Sequence, residues 1–352
     1  MMVEELLGGE GYKEHFILSL RDKGADELYL HHCWEMGKGQ TKMRLDLYVV
    51  RRMGCSRTKA RKAIEMGAIR LNDELAKVSR FVRAGDHVKL LLPYPLPPPI
   101  TSEDLSLDII FEDDDLLLVN KRAGMVCHPT LGHRTGTMFQ GLMFHFEELQ
   151  RKGELEEGIR PGIVHRIDAD TTGILVIAKN KDILSQLSAQ FKEHSITRFY
   201  DALVWGDIKK KKGTISYRIG RSLGDQTQWT TFDNEVDGRH AITHYEVRER
   251  FGLATLVRCR LETGRTHQIR LHFLALGHPL IGDKQYGGLR LPSELSVFRD
   301  DPRKSFLESM NRQALHAQFL AFLHPKTQER LSFQVDFPQD FQVLLDLLRE
   351  DS

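Results

Sequence analysis

Five of the seven residues in PYPLPPP (93–99) are proline. Each one fixes φ and removes a backbone donor, so neither a helix nor a sheet ladder runs through such a stretch. It predicts a stiff, extended linker over 93–104 and divides the 352-residue chain into a small module and a large one. The large piece is long enough to bury a core of its own. Residues 1–42 form an N-terminal extension with no assigned element. EHFILSL (14–20) reads as either a short helix or a strand, and GKGQT (37–41) lacks the spacing and preceding strand of a phosphate loop.

The module at 43–92 has a clear local logic. RLDLYVVRRM (44–53) is an amphipathic helix. Ser56 caps a second helix, RTKARKAIEMG, that ends at Gly67. AIRLN and HVKLLL read as strands, with Asn72–Asp73 as a turn. The module is therefore a small α/β domain. It carries twelve Lys/Arg against five Asp/Glu, a charge of +7. With the whole chain at +1, the remainder carries −6. The excess centres on the second helix, at Arg51, Arg52, Arg57, Lys59, Arg61 and Lys62. One reading is a solvated helix face; the favoured one is an electrostatic footprint for a nucleic-acid backbone.

From Ile100 onward, short β-rich runs alternate irregularly with helical stretches such as KDILSQLSAQFKEH and HQIRLHFLALG. Strands outnumber helices and no regular βαβ alternation appears. This predicts an α+β domain over 105–345 with a mixed, largely antiparallel central sheet. Two polar clusters stand out. GIVHRIDADTTGILVIAKN (162–180) crowds His165, Arg166, Asp168, Asp170, Thr171 and Thr172 at a turn before a buried strand. Loops at strand ends often present catalytic groups, yet Asp and Thr are also ordinary turn formers. On this stretch alone the two readings stand level. LETGRTHQIRLHFLALGHPLIGD (261–283) places Arg265, His267, Gln268, Arg270 and His272 at the start of a helix, where donors favour anions. Arg270 beside Asp168 would form an ion pair that aims the carboxylate. In RFYDALVWG (198–206), Tyr200 is either core packing or a platform for a base.

These pieces resemble the RluA-type RNA pseudouridine synthases. HRIDADTTG resembles the family's signature turn. LLLVNKRAGMVCHP (116–129), GRTHQIRLHFLALGHPLIGDKQYGG (264–288) and ALHA (314–317) resemble three further motifs in the family's order, and the likeness runs from about 105 to 337. The module at 43–92 resembles the small-ribosomal-protein type of RNA-binding domain. The resemblance implies the pseudouridine synthase fold and an isomerase that makes pseudouridine, most readily in large-subunit ribosomal RNA. It implies Asp168 as the essential aspartate and Arg270 as its partner. It further implies Tyr200 packing on the target base, Arg166 filling the space of a flipped-out uridine, and Leu315 lining the pocket. Arg265, His267 and Gln268 are expected to bind substrate. Ile167, Ala169, Thr172 and Arg122 depart from the usual motif residues, and LGDQTQWTTF (223–232) lacks the basic character expected of a loop near RNA.

No cofactor is expected, because the isomerisation changes no oxidation state and no dinucleotide fingerprint is present. No metal is expected. The cysteines, Cys33, Cys55, Cys127 and Cys259, form no Cys-x-x-Cys pair, and His31, His32, Cys33, His128 and His133 lack a supporting ligand pattern. Cysteine scarcity, the absence of a signal-peptide pattern and the absence of a membrane-length apolar run set the expectation of a soluble cytoplasmic protein without membrane contact; a monomer is expected. Competing readings are a transfer-RNA synthase, a non-catalytic RNA-binding ribosome-assembly factor, and a metal hydrolase using His128, His133 and His165.

Overall fold

A computed structural model describes residues 29–53, 55–92, 100–130, 133–222, 224–225, 228–234, 236–289 and 310–350. The expectations for 14–20 and for the proline run 93–99 lie outside the described residues. The chain divides into two compact units, Met1–Pro99 and Ile100–Ser352.

The first unit runs β1 (Tyr29–Glu35), β2 (Met43–Arg44), α1 (Leu45–Met53), α2 (Arg57–Glu65), β3 (Ile69–Leu71), β4 (Glu74–Leu75), β5 (Phe81–Val82) and β6 (His87–Leu92). Ser56 caps α2 by accepting the Lys59 amide at 3.3 Å. Asn72 and Asp73, at φ 50° and 69°, make the tight turn between β3 and β4. The apolar faces of α1 (Leu45, Tyr48, Val49) and α2 (Ala60, Ala63, Ile64) share one core with Val82, Val88 and Leu90. One element was not legible in the sequence. Tyr29–Glu35, inside the unassigned extension, pairs antiparallel with β6 and completes a sheet in the order β1-β6-β3-β4.

The second unit runs β7 (Ile109–Glu112), β8 (Leu116–Lys121), α3 (Met138–Lys152), β9 (Gly162–Ile163), β10 (Thr172–Ala178), α4 (Lys181–Lys192), β11 (Thr197–Trp205), β12 (Lys212–Arg221), β13 (Trp229–Phe232), β14 (Arg239–Arg250), β15 (Ala254–Leu261), α5 (Gln268–Ala275), β16 (Leu315–Leu323), β17 (Arg330–Gln334) and α6 (Gln339–Arg349). Its sheet follows the order β13-β12-β14-β15-β11-β16-β10-β8-β7, with β9 on β10 and β17 on β16. Among the described residues every pairing is antiparallel except β10 with β16, so the sheet is mixed and largely antiparallel. Side-chain alternation along the strands feeds two cores. Val119, Leu175, Ile177 and Ala202 meet Leu142 and Phe146 of α3 and Ile269 and Phe273 of α5. On the other face Leu118, Ile174 and Val176 meet Ile183 and Leu187 of α4.

Two details bear on the site. The last residues of the expected linker are docked onto α3: Ser102 Oγ donates to Glu147 at 2.6 Å, and Gln140 Nε2 donates to the Thr101 carbonyl at 3.2 Å. Gly173, the second residue of β10, pairs with Ala317 of β16 at φ 114°, and a Cβ there would lie 2.2 Å from the Ala317 carbonyl oxygen. Only glycine permits that approach, which brings the turn before β10 against the start of β16. Among the described residues no helix is long and apolar enough to cross a membrane.

Candidate active site

The turn 168–172 is held by side chains from four other elements or loops. Arg270 of α5 donates from Nη1 to Asp168 Oδ2 at 3.0 Å. Lys121, the last residue of β8, is 1% exposed and donates to the carbonyls of Arg122 (2.9 Å), Met125 (2.9 Å) and Ala169 (2.6 Å). Arg312 reaches the Asp170 carbonyl at 3.3 Å, and Gln313 Nε2 donates to Thr171 Oγ1 at 3.1 Å. Thr172 Oγ1 and His316 Nδ1 are hydrogen-bonded at 2.8 Å. A short polar turn held at so many points has little freedom to relax, which is how a reacting group is kept in place.

Asp168 lies between two environments. Its Oδ2 is taken by Arg270, its Oδ1 is 4.0 Å from His267 Nε2, and the residue lines a cleft. Arg270 is gripped from behind by Asp283, with Nε to Oδ2 at 2.6 Å and Nη2 to Oδ1 at 2.9 Å. Asp283 is fully buried and also accepts the backbone amides of Gln285 and Tyr286. Burial alone would pull the Arg270 guanidinium down, but the Asp283 fork outweighs it and holds the group above its ordinary value. Tyr286 stacks on Arg270, 4.8 Å from ring centre to guanidinium carbon, and burial pushes its phenol up to about 12. Its hydroxyl is hydrogen-bonded to His267 Nδ1 at 2.7 Å. His267 has φ 55°, an uncommon conformation for a residue with a Cβ, and burial lowers its imidazole, so it is largely neutral at neutral pH.

The cleft has a volume of about 530 Å³. Arg166, Asp168, Tyr200, Arg265, His267, Gln268, Arg270 and Leu315 all line it. Residues spread over 150 positions of sequence therefore converge as the motifs imply. Tyr200 is 6% exposed, on the cleft face of β11, and burial pushes its phenol up, with Arg198 opposing. Leu315 opens β16 opposite Ala202. Arg166 is exposed and makes no side-chain hydrogen bond or ion pair with the described residues.

One residue expected to bind substrate, Gln268, is already fully bonded within the protein. The Gln268 side chain is buried and bonded on every side. Its Oε1 accepts from Thr263 Oγ1 (2.8 Å) and the Arg265 amide (3.0 Å), and its Nε2 donates to the Ile242 carbonyl and Thr243 Oγ1, both at 3.0 Å. No donor is left for a ligand, so Gln268 locks the loop that carries Arg265 onto β14. Conversely, Lys121, Asp283, Arg312 and Gln313 emerge only with the fold.

Among the described residues, His128, His133 and His165 do not form a group of ligand atoms close enough to share an ion. Among the described residues the one group of ligand atoms close enough to share an ion is Asp113, Asp115 and His324. There His324 Nδ1 accepts the amides of Lys326 and Thr327, which leaves Nε2 as the donor toward Asp113 at 3.2 Å, so both ring nitrogens are already used within the protein. His165 accepts the Val176 amide, packs on Phe191 at 4.4 Å, and is pushed down to about 3 by burial.

Lys121→Met tests the holding role. It keeps the side-chain length and leaves three carbonyls unpaired. At about 1–3 kcal/mol per unsatisfied buried group, partly offset by removing a buried charge, a net loss of about 2–4 kcal/mol is expected in denaturant melts. Burial pushes Lys121 down to about 8 from 10.5. The unfolded chain then binds more protons than the folded one between those values, so wild-type stability should rise relative to Lys121→Met as pH rises through that window. A flat difference would show that the ammonium stays protonated.

On the binding side, Arg57, Arg61 and Lys62 line one groove of the first unit together with Arg44 and Lys77. Arg51, Arg52 and Lys59 lie outside it. Arg57 pairs with Asp46 (2.9 Å), Arg61 with Glu65 (2.8 Å), and Arg52 stacks on Tyr48 at 5.2 Å.

The sequence matches two family models, one described as RNA pseudouridylate synthase over residues 115–275 and one as the S4 domain over 43–88. It is 41% identical to an RNA pseudouridine synthase of Chlorobaculum parvum, over 90% of this chain and 97% of that one. It is 41% identical to the ribosomal large subunit pseudouridine synthase D of Pseudomonas aeruginosa, over 71% of this chain and 74% of the other. Among solved structures, human RNA pseudouridylate synthase domain containing 4 shares the fold, with a TM-score of 0.55 at 23% identity, covering 68% of this chain and 92% of that one.

Proposed function

We propose that this chain, which belongs to the RNA pseudouridylate synthase family and is an RNA pseudouridine isomerase, acts on uridines of large-subunit ribosomal RNA with Asp168 as the catalytic carboxylate. The observation that carries the catalytic reading is the cleft that Asp168, Arg270 and Tyr200 line together, with one carboxylate oxygen of Asp168 held by Arg270. The ribosomal reading is supported by an S4 domain on the same chain and by relatives named ribosomal large subunit pseudouridine synthase D in three bacteria.

The reaction breaks the bond between ribose C1′ and uracil N1, turns the base within the cleft, and joins C5 to the same C1′. The proton lost from C5 is balanced by one gained at N1, so no electrons are exchanged and no redox cofactor is required. A uridine in structured RNA must first leave its stack, at a cost of a few kcal/mol. Arg166, exposed beside the cleft, takes its place in the RNA, and Tyr200 packs on the extruded base. Asp168 Oδ1 then acts on the ribose, either by attack at C1′ or by removal of the C2′ proton to give a glycal. Deuterium at C2′ slows the second route and not the first. Arg270 fixes the angle of the carboxylate through Oδ2, and Tyr200 is placed to assist loss of the C5 proton.

The test is a strain lacking the gene, with pseudouridines mapped across all its RNA. The expected result is loss of one or more positions in large-subunit ribosomal RNA, restored by the wild-type gene. Loss confined to transfer RNA would overturn the ribosomal reading, and no lost position would overturn the activity in the cell.

A further inference from the structure

The second unit carries a basic groove that the proposed mechanism does not use. It lies on β12, β14 and β15 and has a volume of about 600 Å³. Strand register places it on the face of the sheet opposite the cleft. Tyr200 pairs with Cys259, whereas its neighbours Asp201 and Phe199 pair with Arg258 and Arg260. Those arginines therefore point away from Tyr200, alongside Lys212 and Arg248.

Four cations line this groove, Lys212, Arg248, Arg258 and Arg260, with Glu246 as the one acidic lining residue. The sequence outside 43–92 is net acidic, so the patch runs against its surroundings. Lys209, Lys210 and Lys211, all exposed, lead directly into it. Asp201 holds Arg258 in a fork at 2.9 and 2.8 Å, and Gln318 adds a third acceptor, so this guanidinium is oriented before any ligand arrives. Lys212 is engaged by Glu246 at 3.1 Å. Arg248 and Arg260 are exposed and have no ion pair or side-chain hydrogen bond among the described residues. Phe199 lies beneath Arg258 at 5.6 Å. No exposed large hydrophobic side chain among the described residues lines the groove. A protein partner would want an apolar anchor there; a phosphate backbone wants guanidinium forks.

We propose that this groove binds the sugar–phosphate backbone of a second segment of the substrate RNA, away from the target uridine. This rests on the reading of structured RNA as substrate. It gives the enzyme a sequence-independent grip that grows with RNA length, while the cleft reads the uridine.

The test uses the full chain carrying Arg248→Glu and Arg260→Glu, neither of which touches the cleft. Two RNAs are compared, a large-subunit ribosomal RNA transcript and a short hairpin cut from it around the modified uridine. Affinity for the transcript should fall about 10-fold or more, and the slope of log affinity against log salt should flatten by roughly 1.5–2, for two lost phosphate contacts. Conversion of the hairpin and the melting temperature should stay at wild-type values. Unchanged transcript affinity and slope, with hairpin conversion intact, would overturn the groove assignment and leave the activity standing. Hairpin conversion falling in step with transcript binding would also overturn it, by tying the arginines to the cleft. Unchanged RNA affinity with loss of binding to polyglutamate would give the groove to an acidic protein instead. If the wild-type chain converts neither RNA, the reading on which the groove rests is what has failed.

Discussion

Asp168→Asn is expected to bind RNA within about twofold of wild type and to form no detectable pseudouridine, a fall of roughly 10⁴-fold or more. The amide has nearly the shape of the carboxylate, and Arg270 remains gripped by Asp283 through two bonds. The turn is still fastened at Ala169, Asp170, Thr171 and Thr172. Asp168 is 24% exposed at its side chain, so stability should change by no more than about 1 kcal/mol. What disappears is the charged oxygen facing the ribose, needed by attack at C1′ and by removal of the C2′ proton alike. Turnover above a few per cent of wild type, in protein free of hydrolysed asparagine, would sink the assignment. Loss of RNA binding along with turnover would move Asp168 from chemistry to recognition.

How much of this was legible beforehand depends on where each residue's partners lie. Asp168, Arg270, Tyr200 and Leu315 sit in motifs whose order along the chain can be read, and the fold brings them to one cleft. The helices of the first unit were legible too, because Ser56 and Gly67 mark the ends of the second and its apolar positions repeat at helical spacing. Lys121 and Asp283 were not. The carbonyl that Lys121 holds at Ala169 is 48 positions away, and a backbone carbonyl leaves no trace in sequence. Asp283 looks like any loop aspartate until α5 presents Arg270 to it. Gln268 is the opposite case: a polar residue at a helix start suggests a ligand, and only the fold shows its four internal bonds. Tyr29–Glu35 was hidden because YLHHCWE lacks clean alternation, and its strand character comes from β6 alongside it.

Arg270→Ala separates structure from chemistry once Asp283 is included. An arginine that only aims Asp168 would, on removal, cost activity and leave the fold intact. The geometry changes that expectation, because the substitution leaves Asp283, fully buried, facing an empty site. Removing one partner of a buried pair costs about 3–5 kcal/mol. Arg270→Ala should therefore lose that much stability in denaturant melts as well as its activity. Adding Asp283→Asn removes the orphaned charge, and its side-chain oxygen can still accept the amides of Gln285 and Tyr286. The double variant should recover most of the lost stability, and it should recover no turnover, since nothing then aims Asp168. Recovery of both would make Arg270 a purely structural partner of Asp283. Recovery of neither would mean that the guanidinium's packing against Tyr286, rather than its charge, supports this part of the fold. Arg270→Lys refines the point. It keeps the charge but cannot make the fork to Asp283 and reach Asp168 Oδ2 together, so a loss of about 10²-fold in kcat, with RNA affinity held, is expected if geometry matters beyond charge.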